Sequence, residues 1–151
     1  MDKRKSIYVG PALTRLIETR GGGQSCGISV SGLINAVADR YMETVRRHLP
    51  RLAVGEWLLI FDAMNGVWSG DNSVLDVLSV PAEIEDAVKL NNLDSKWDVD
   101  GKTLVKKLHG LDWCQRLAVL DATERFWCRD DWPSDHRELV AAVVGEMAIE
   151  E

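Results

Sequence analysis

The stretch Arg20 to Gly32, RGGGQSCGISVSG, holds the residues of this chain that come nearest to a chemical motif. Gly22 and Gly27 have the separation of the two glycines in a phosphate-binding P-loop, and Ser29 stands at the position of its hydroxyl residue. Ile28, however, occupies the place of the lysine, and no buried strand leads into the glycines, so nothing would reach the outer phosphates. The structural alternative is that a first helix ends at these glycines, Gly21 to Gly27 turns the chain, and Ser29 is the N-cap of a second helix.

A second set of reactive side chains lies near the other end. His109 precedes Cys114, and Cys128 precedes Asp130, Asp131 and His136, which supplies thiols, imidazoles and carboxylates on paper. Cys114 and Cys128 are fourteen residues apart on one predicted helix, about four turns, so they cannot share a metal within one chain. Cys26 makes the number of cysteines odd, and no CxxC pair is present, so neither a zinc ribbon nor a disulfide framework is indicated. Neither catalysis nor a metal or cofactor site is expected. Of the six tryptophans, Trp57, Trp113 and Trp127 fall among aliphatic residues at helical spacing and read as core. Trp132 before Pro133 and Trp68 before Ser69-Gly70 fall in loops and are the better candidates for an exposed contact.

The elements that would position these residues are mostly helical. Arg4 to Val9 alternates, with Ile7 and Val9 on one side and Arg4, Ser6 and Tyr8 on the other, the period of a short strand. Pro11 suits a first helical turn, and Leu13, Leu16 and Ile17 give a short apolar stripe. After Ser29, apolar residues from Leu33, Ile34 and Val37 through Tyr41 to Leu49 recur at helical spacing until Pro50. Further helices are predicted over Glu56–Met64, Ser73–Val80 and Ala82–Leu90 on either side of Pro81, Gly101–His109, Asp112–Arg129 and Ser134–Met147. A lone strand cannot satisfy its edges, and the most economical partner is the same strand of a second copy related by a two-fold axis.

Charge divides the chain. Residues 1–51 carry nine basic and four acidic side chains, whereas 52–151 carry nine basic and twenty acidic, together with all six tryptophans. Two modules with different partners are expected, residues 1–51 and, as an acidic helical domain, residues 52–151. No apolar run approaches the roughly 20 residues that span a bilayer, and the basic start lacks the apolar region of a signal peptide, so no membrane contact and a cytoplasmic address are expected.

The strand "RKSIYV" followed by two helices, the second beginning "ISVSGLINAVADRYM", resembles the ribbon-helix-helix family of bacterial, plasmid and phage DNA-binding proteins. The resemblance covers about residues 3 to 50. It implies a mostly α fold whose N-terminal β-α-α module forms an intertwined homodimer beside a C-terminal all-helical domain. It also implies that Arg4, Ser6 and Tyr8 contact bases in the major groove of double-stranded DNA, while Lys3, Lys5, Ser29, Ser31, Arg46 and Arg47 contact phosphate. Ile7, Val9, Leu33, Ile34, Val37 and Tyr41 would form the dimer core. The function expected on this basis is a sequence-specific transcriptional repressor, autoregulatory, of phage or mobile-element context. The alternative is a mobile-element inhibitor or adaptor, anti-CRISPR-like, whose acidic C-terminal domain engages a host protein.

Overall fold

The structure is a computed structural model that describes residues 10–19, 29–65 and 76–151. These form eight α-helices: α1 (Pro11–Thr19), α2 (Val30–Arg47), α3 (Val54–Ala63), α4 (Val80–Asn91), α5 (Leu93–Trp97), α6 (Gly101–His109), α7 (Trp113–Trp127) and α8 (His136–Val144). The chain divides into two units, Met1–Glu43 and Thr44–Glu151, the division falling within α2.

In the first unit, Pro11 opens α1 with its φ already set for a helix and no N–H to leave orphaned. Leu13, Leu16 and Ile17 are only half-buried, and α1 has no buried residue. Ser29 precedes α2 and accepts the Gly32 N–H on its side-chain oxygen at 3.1 Å, while its carbonyl accepts the Leu33 N–H at 2.9 Å. That is an N-cap, and it satisfies one of the orphan donors of the first turn.

The second unit is built around α3. Its six consecutive residues Glu56 to Phe61 are all buried, because α4, α5, α7 and α8 pack around it. A helix apolar on every side belongs at the centre of a domain rather than on its surface. The entry to α3 is fixed by Glu56, whose Oε2 accepts the Ala53 N–H at 2.9 Å and whose Oε1 accepts from Lys107 Nζ at 2.8 Å. The hydrogen bond from Lys107, with the charge of Glu56 behind it, holds the Lys107 ammonium above the ordinary lysine range. From the other end of the unit, Leu52 and Ile149 form an isolated parallel bridge. Leu52 N–H donates to Ala148 O at 3.1 Å, Glu150 N–H donates to Leu52 O at 2.9 Å, and the Trp57 indole N–H donates to Ala148 O at 3.0 Å.

Side-chain caps set the remaining helices. Asp100 Oδ1 accepts the Thr103 N–H at the start of α6, Asp112 and Gln115 exchange hydrogen bonds of 2.8 and 3.0 Å at α7, and Asp135 accepts the Glu138 N–H at α8. Asn92 and Asp98 flank α5 in the left-handed region, at φ 51° and 54°, which these short polar side chains tolerate better than others. Gly101 lies so close to α4 and α5 that a Cβ there would stand 3.1 Å from Asp94 Cβ and 3.2 Å from Val88 Cγ1.

Several expectations are corrected. Among the described residues there is no β-strand, and the extended pairing is confined to the Leu52–Ile149 bridge. A ribbon-helix-helix fold requires a β-ribbon, so the resemblance and the intertwined β-α-α dimer drawn from it are overturned in favour of a structure that is all-helical among the described residues. The physical reason lies in what carried the likeness: apolar residues such as Leu33, Ile34 and Val37 at helical spacing occur on any amphipathic helix. The strand expected at Arg4–Val9 lies outside the described residues. The helix expected over Ser73–Val80 is, where described, a 3-10 turn at Val77–Ser79. Pro81 does not separate two helices but sits in the first turn of α4, where its missing N–H removes no hydrogen bond.

Because α3 is enclosed, removing its largest side chains is expected to leave cavities that the packed neighbours cannot fill. Phe61→Ala should lower unfolding stability by about 3–5 kcal/mol. Leu90→Ala, at a position 83% exposed, should change it by under about 0.5 kcal/mol. Urea unfolding of the two variants beside the parent checks both.

Candidate functional site

The residues expected to read DNA bases, Arg4, Ser6 and Tyr8, lie outside the described residues, as do Lys3, Lys5, Ile7, Val9 and the Gly21–Gly27 turn. Of the other expected phosphate contacts, Ser29 and Ser31 sit at the start of α2 with their hydroxyl oxygens 3.4 Å apart, and Arg46 and Arg47 occupy its last turn. Of the expected dimer core, Leu33 is buried, Ile34 and Val37 are half-buried, and Tyr41 is exposed.

The thiols and imidazoles do not assemble. Cys114 is half-buried in the first turn of α7, and Cys128 is exposed at its C-cap. His109 lies 3.1 Å from Glu85, which also accepts from Lys89 at 2.8 Å, whereas His136 packs against Trp97. Among the described residues no three His, Cys, Asp or Glu side chains are grouped to hold a metal ion. No helix among them is long and apolar enough to cross a membrane.

What the fold does bring together is a succession of aromatic rings running from the core to the surface. Trp57 stacks on Phe61 with centroids 5.6 Å apart, and Phe61 stacks on Phe126 of α7 at 4.3 Å. Phe126 in turn meets Trp132 edge-on at 4.7 Å, and Trp132 tilts against Trp127 at 5.8 Å. Offset and edge-on contacts suit the ring quadrupoles and fix the orientation of each indole. Trp57 is fully buried and Trp132 is 48% exposed, so the series ends in solvent. The Trp127 indole N–H donates to Phe61 O at 2.9 Å, which holds that ring to the last turn of α3.

The next residue of α3, Asp62, organises the neighbouring group. It accepts from the Trp97 indole N–H at 3.0 Å and from Lys96 Nζ at 2.6 Å, and the same ammonium lies 5.2 Å from the Trp97 ring centroid. His136 closes on Trp97 edge-to-face at 5.6 Å. Both aromatic groups are therefore held by adjacent residues of α3 and joined by the segment Trp132–His136. The acidic residues beside them in sequence are Asp98, Asp130, Asp131 and Asp135. Asp135 is committed to capping α8 and Asp131 pairs with Arg129 at 2.9 Å. Asp98 and Asp130 are exposed and carry no ion pair among the described residues.

Trp132 was legible as an exposed loop tryptophan, but Trp97 was not singled out, and Trp113 is misassigned. Trp113 is 52% exposed rather than core. It precedes the buried Ala122 by nine residues, about two and a half turns, and so projects from the opposite side of α7. A scan of protein-family models, a search of curated proteins and a search of solved structures each return no match to this chain.

The Glu85 cluster gives a pH expectation. Hydrogen bonds from Lys89 and then His109 hold the Glu85 carboxyl below the ordinary glutamate range. Since its folded value is depressed, the stabilisation it contributes is present above the unfolded-state value and is lost as pH falls through the folded one. An NMR titration of the Glu85 side-chain carboxyl should show a midpoint below that of an unstructured glutamate, and Lys89→Met should return it toward that value.

Proposed function

We propose that the chain is a binding protein, an adaptor or inhibitor, whose helical second unit engages a basic protein partner. The observation that carries this reading is the aromatic series that ends at the half-exposed Trp132 in the acidic part of the chain. Residues 52–151 hold twenty acidic side chains against nine basic. Asp86, Asp98, Glu124, Asp130 and Glu138 are exposed and, among the described residues, carry no ion pair. Such a surface repels phosphate and attracts cations over several ångströms, which accelerates encounter with a basic partner. Tryptophan supplies large, rigid contact area at low entropic cost, the usual anchor of a protein interface.

Duplex DNA is the competing ligand, and the two are separated by one measurement. Anisotropy of a labelled oligo-arginine peptide and of a labelled duplex should be followed with the full chain across a range of salt concentrations. The peptide should bind at low salt and weaken as salt rises, because exposed charges are screened. A duplex that binds more tightly than the peptide at every salt concentration would overturn the proposal.

A further inference from the structure

We infer that Trp132 is the seat of an arginine side chain supplied by a basic segment of the partner, with Asp130 and Asp131 as its carboxylate flank; this rests on the basic-partner reading above. The chain itself displays the arrangement at the neighbouring indole. There the Lys96 ammonium is held between a carboxylate and an aromatic face, 2.6 Å from Asp62 and 5.2 Å from the Trp97 centroid. The attraction is electrostatic: the negative face of an indole and an adjacent carboxylate both favour a cation.

Trp132 has the same two ingredients, and among the described residues no cation lies over its ring, Arg129 being engaged with Asp131. Its ring is propped by Phe126 and Trp127, so it is a fixed platform rather than a swinging side chain, and half of it stays open. Asp130 is exposed with no ion pair among the described residues. Asp131 uses one oxygen toward Arg129 Nη2 at 2.9 Å and keeps acceptor capacity on the other.

Arginine fits this place better than lysine. A guanidinium is planar, stacks flat on an indole while its edge N–H groups face a carboxylate, and gives up its water more readily than an ammonium. Trp113, although as exposed as Trp132, has no aromatic neighbour to prop it among the described residues and serves as the internal control.

The test uses the full chain, its tryptophans labelled with 15N at the indole, and two probes, an oligo-arginine and an oligo-lysine peptide of equal length. Oligo-arginine is expected to bind more tightly than oligo-lysine and to shift the Trp132 indole resonance, identified by its loss in Trp132→Phe. Trp132→Ala should weaken oligo-arginine binding by about 2- to 5-fold, the factor expected of an exposed cation–π contact, and Trp113→Ala should leave it unchanged. Should Trp132→Ala lose its helical circular dichroism, Asp130→Asn and the indole shift of the parent protein decide instead, with weaker binding and a shift expected. An unmoved Trp132 resonance, or parent-like binding by a folded Trp132→Ala, would overturn the inference while the salt-sensitive basic-partner reading stood. Tighter binding of oligo-lysine would also overturn it. Failure of the parent protein to bind either peptide at low salt would remove the reading beneath it.

Discussion

The second unit depends on the complete enclosure of α3. Ten residues are too few to hold a helix in water by propensity alone, since nucleation is unfavourable and isolated helices of that length are marginal. What stabilises it is burial: Trp57, Leu58, Leu59, Ile60 and Phe61 are each withdrawn from water, at about 1.5–3 kcal/mol for a large apolar side chain. The constraint runs both ways. Four helices, α4, α5, α7 and α8, meet α3, and buried residues of each, such as Ile84, Leu93, Phe126 and Val140, share one core with it. The charged group that enters this interior, Glu56, is paired with Lys107 and a backbone N–H, as a buried carboxylate must be.

The same enclosure creates the aromatic face. Phe61 and Asp62 are consecutive in the last turn of α3, one inside the core and one at its margin, and each holds a tryptophan that arrives from a different element. An aromatic surface built in this way inherits the rigidity of the core. Trp97 and Trp127 are held by indole N–H hydrogen bonds and Trp132 by ring contacts, so these side chains keep little conformational freedom.

Helices announced by a capping side chain and an apolar stripe were legible. Gly101–His109 is framed by Asp100 before it and Gly110 after it and is found with those bounds, and the Asp112–Gln115 exchange marks the start of α7. What was not legible lacked a period or needed a distant partner. Five residues of α5 cannot display a helical repeat, and its flanking left-handed turns at Asn92 and Asp98 are consequences of packing. The β-ribbon expectation rested on six alternating residues, Arg4 to Val9, which lie outside the described residues; among those described no strand occurs, and alternation alone does not supply the neighbour a strand needs. For the site, Trp132 was visible because Pro133 follows it. Trp97 was hidden because its partners, Asp62 and His136, stand 35 and 39 positions away, separations that no local spacing rule encodes.

The bridge between Leu52 and Ile149 has a topological meaning beyond its two hydrogen bonds. Because these residues are backbone neighbours, the chain enters and leaves the helical core at one place, and the described residues between them are mostly helical. In such an arrangement the position of the break is not what holds the helices together. A linker that turns back from Ile149 to Leu52, since the bridge is parallel, with a new opening at the exposed Gly110, would leave the helices that pack on α3 in a permuted order. For the same reason the unit is suited to insertion into a surface loop of another protein, whose two ends would need to separate by no more than the width of a paired backbone.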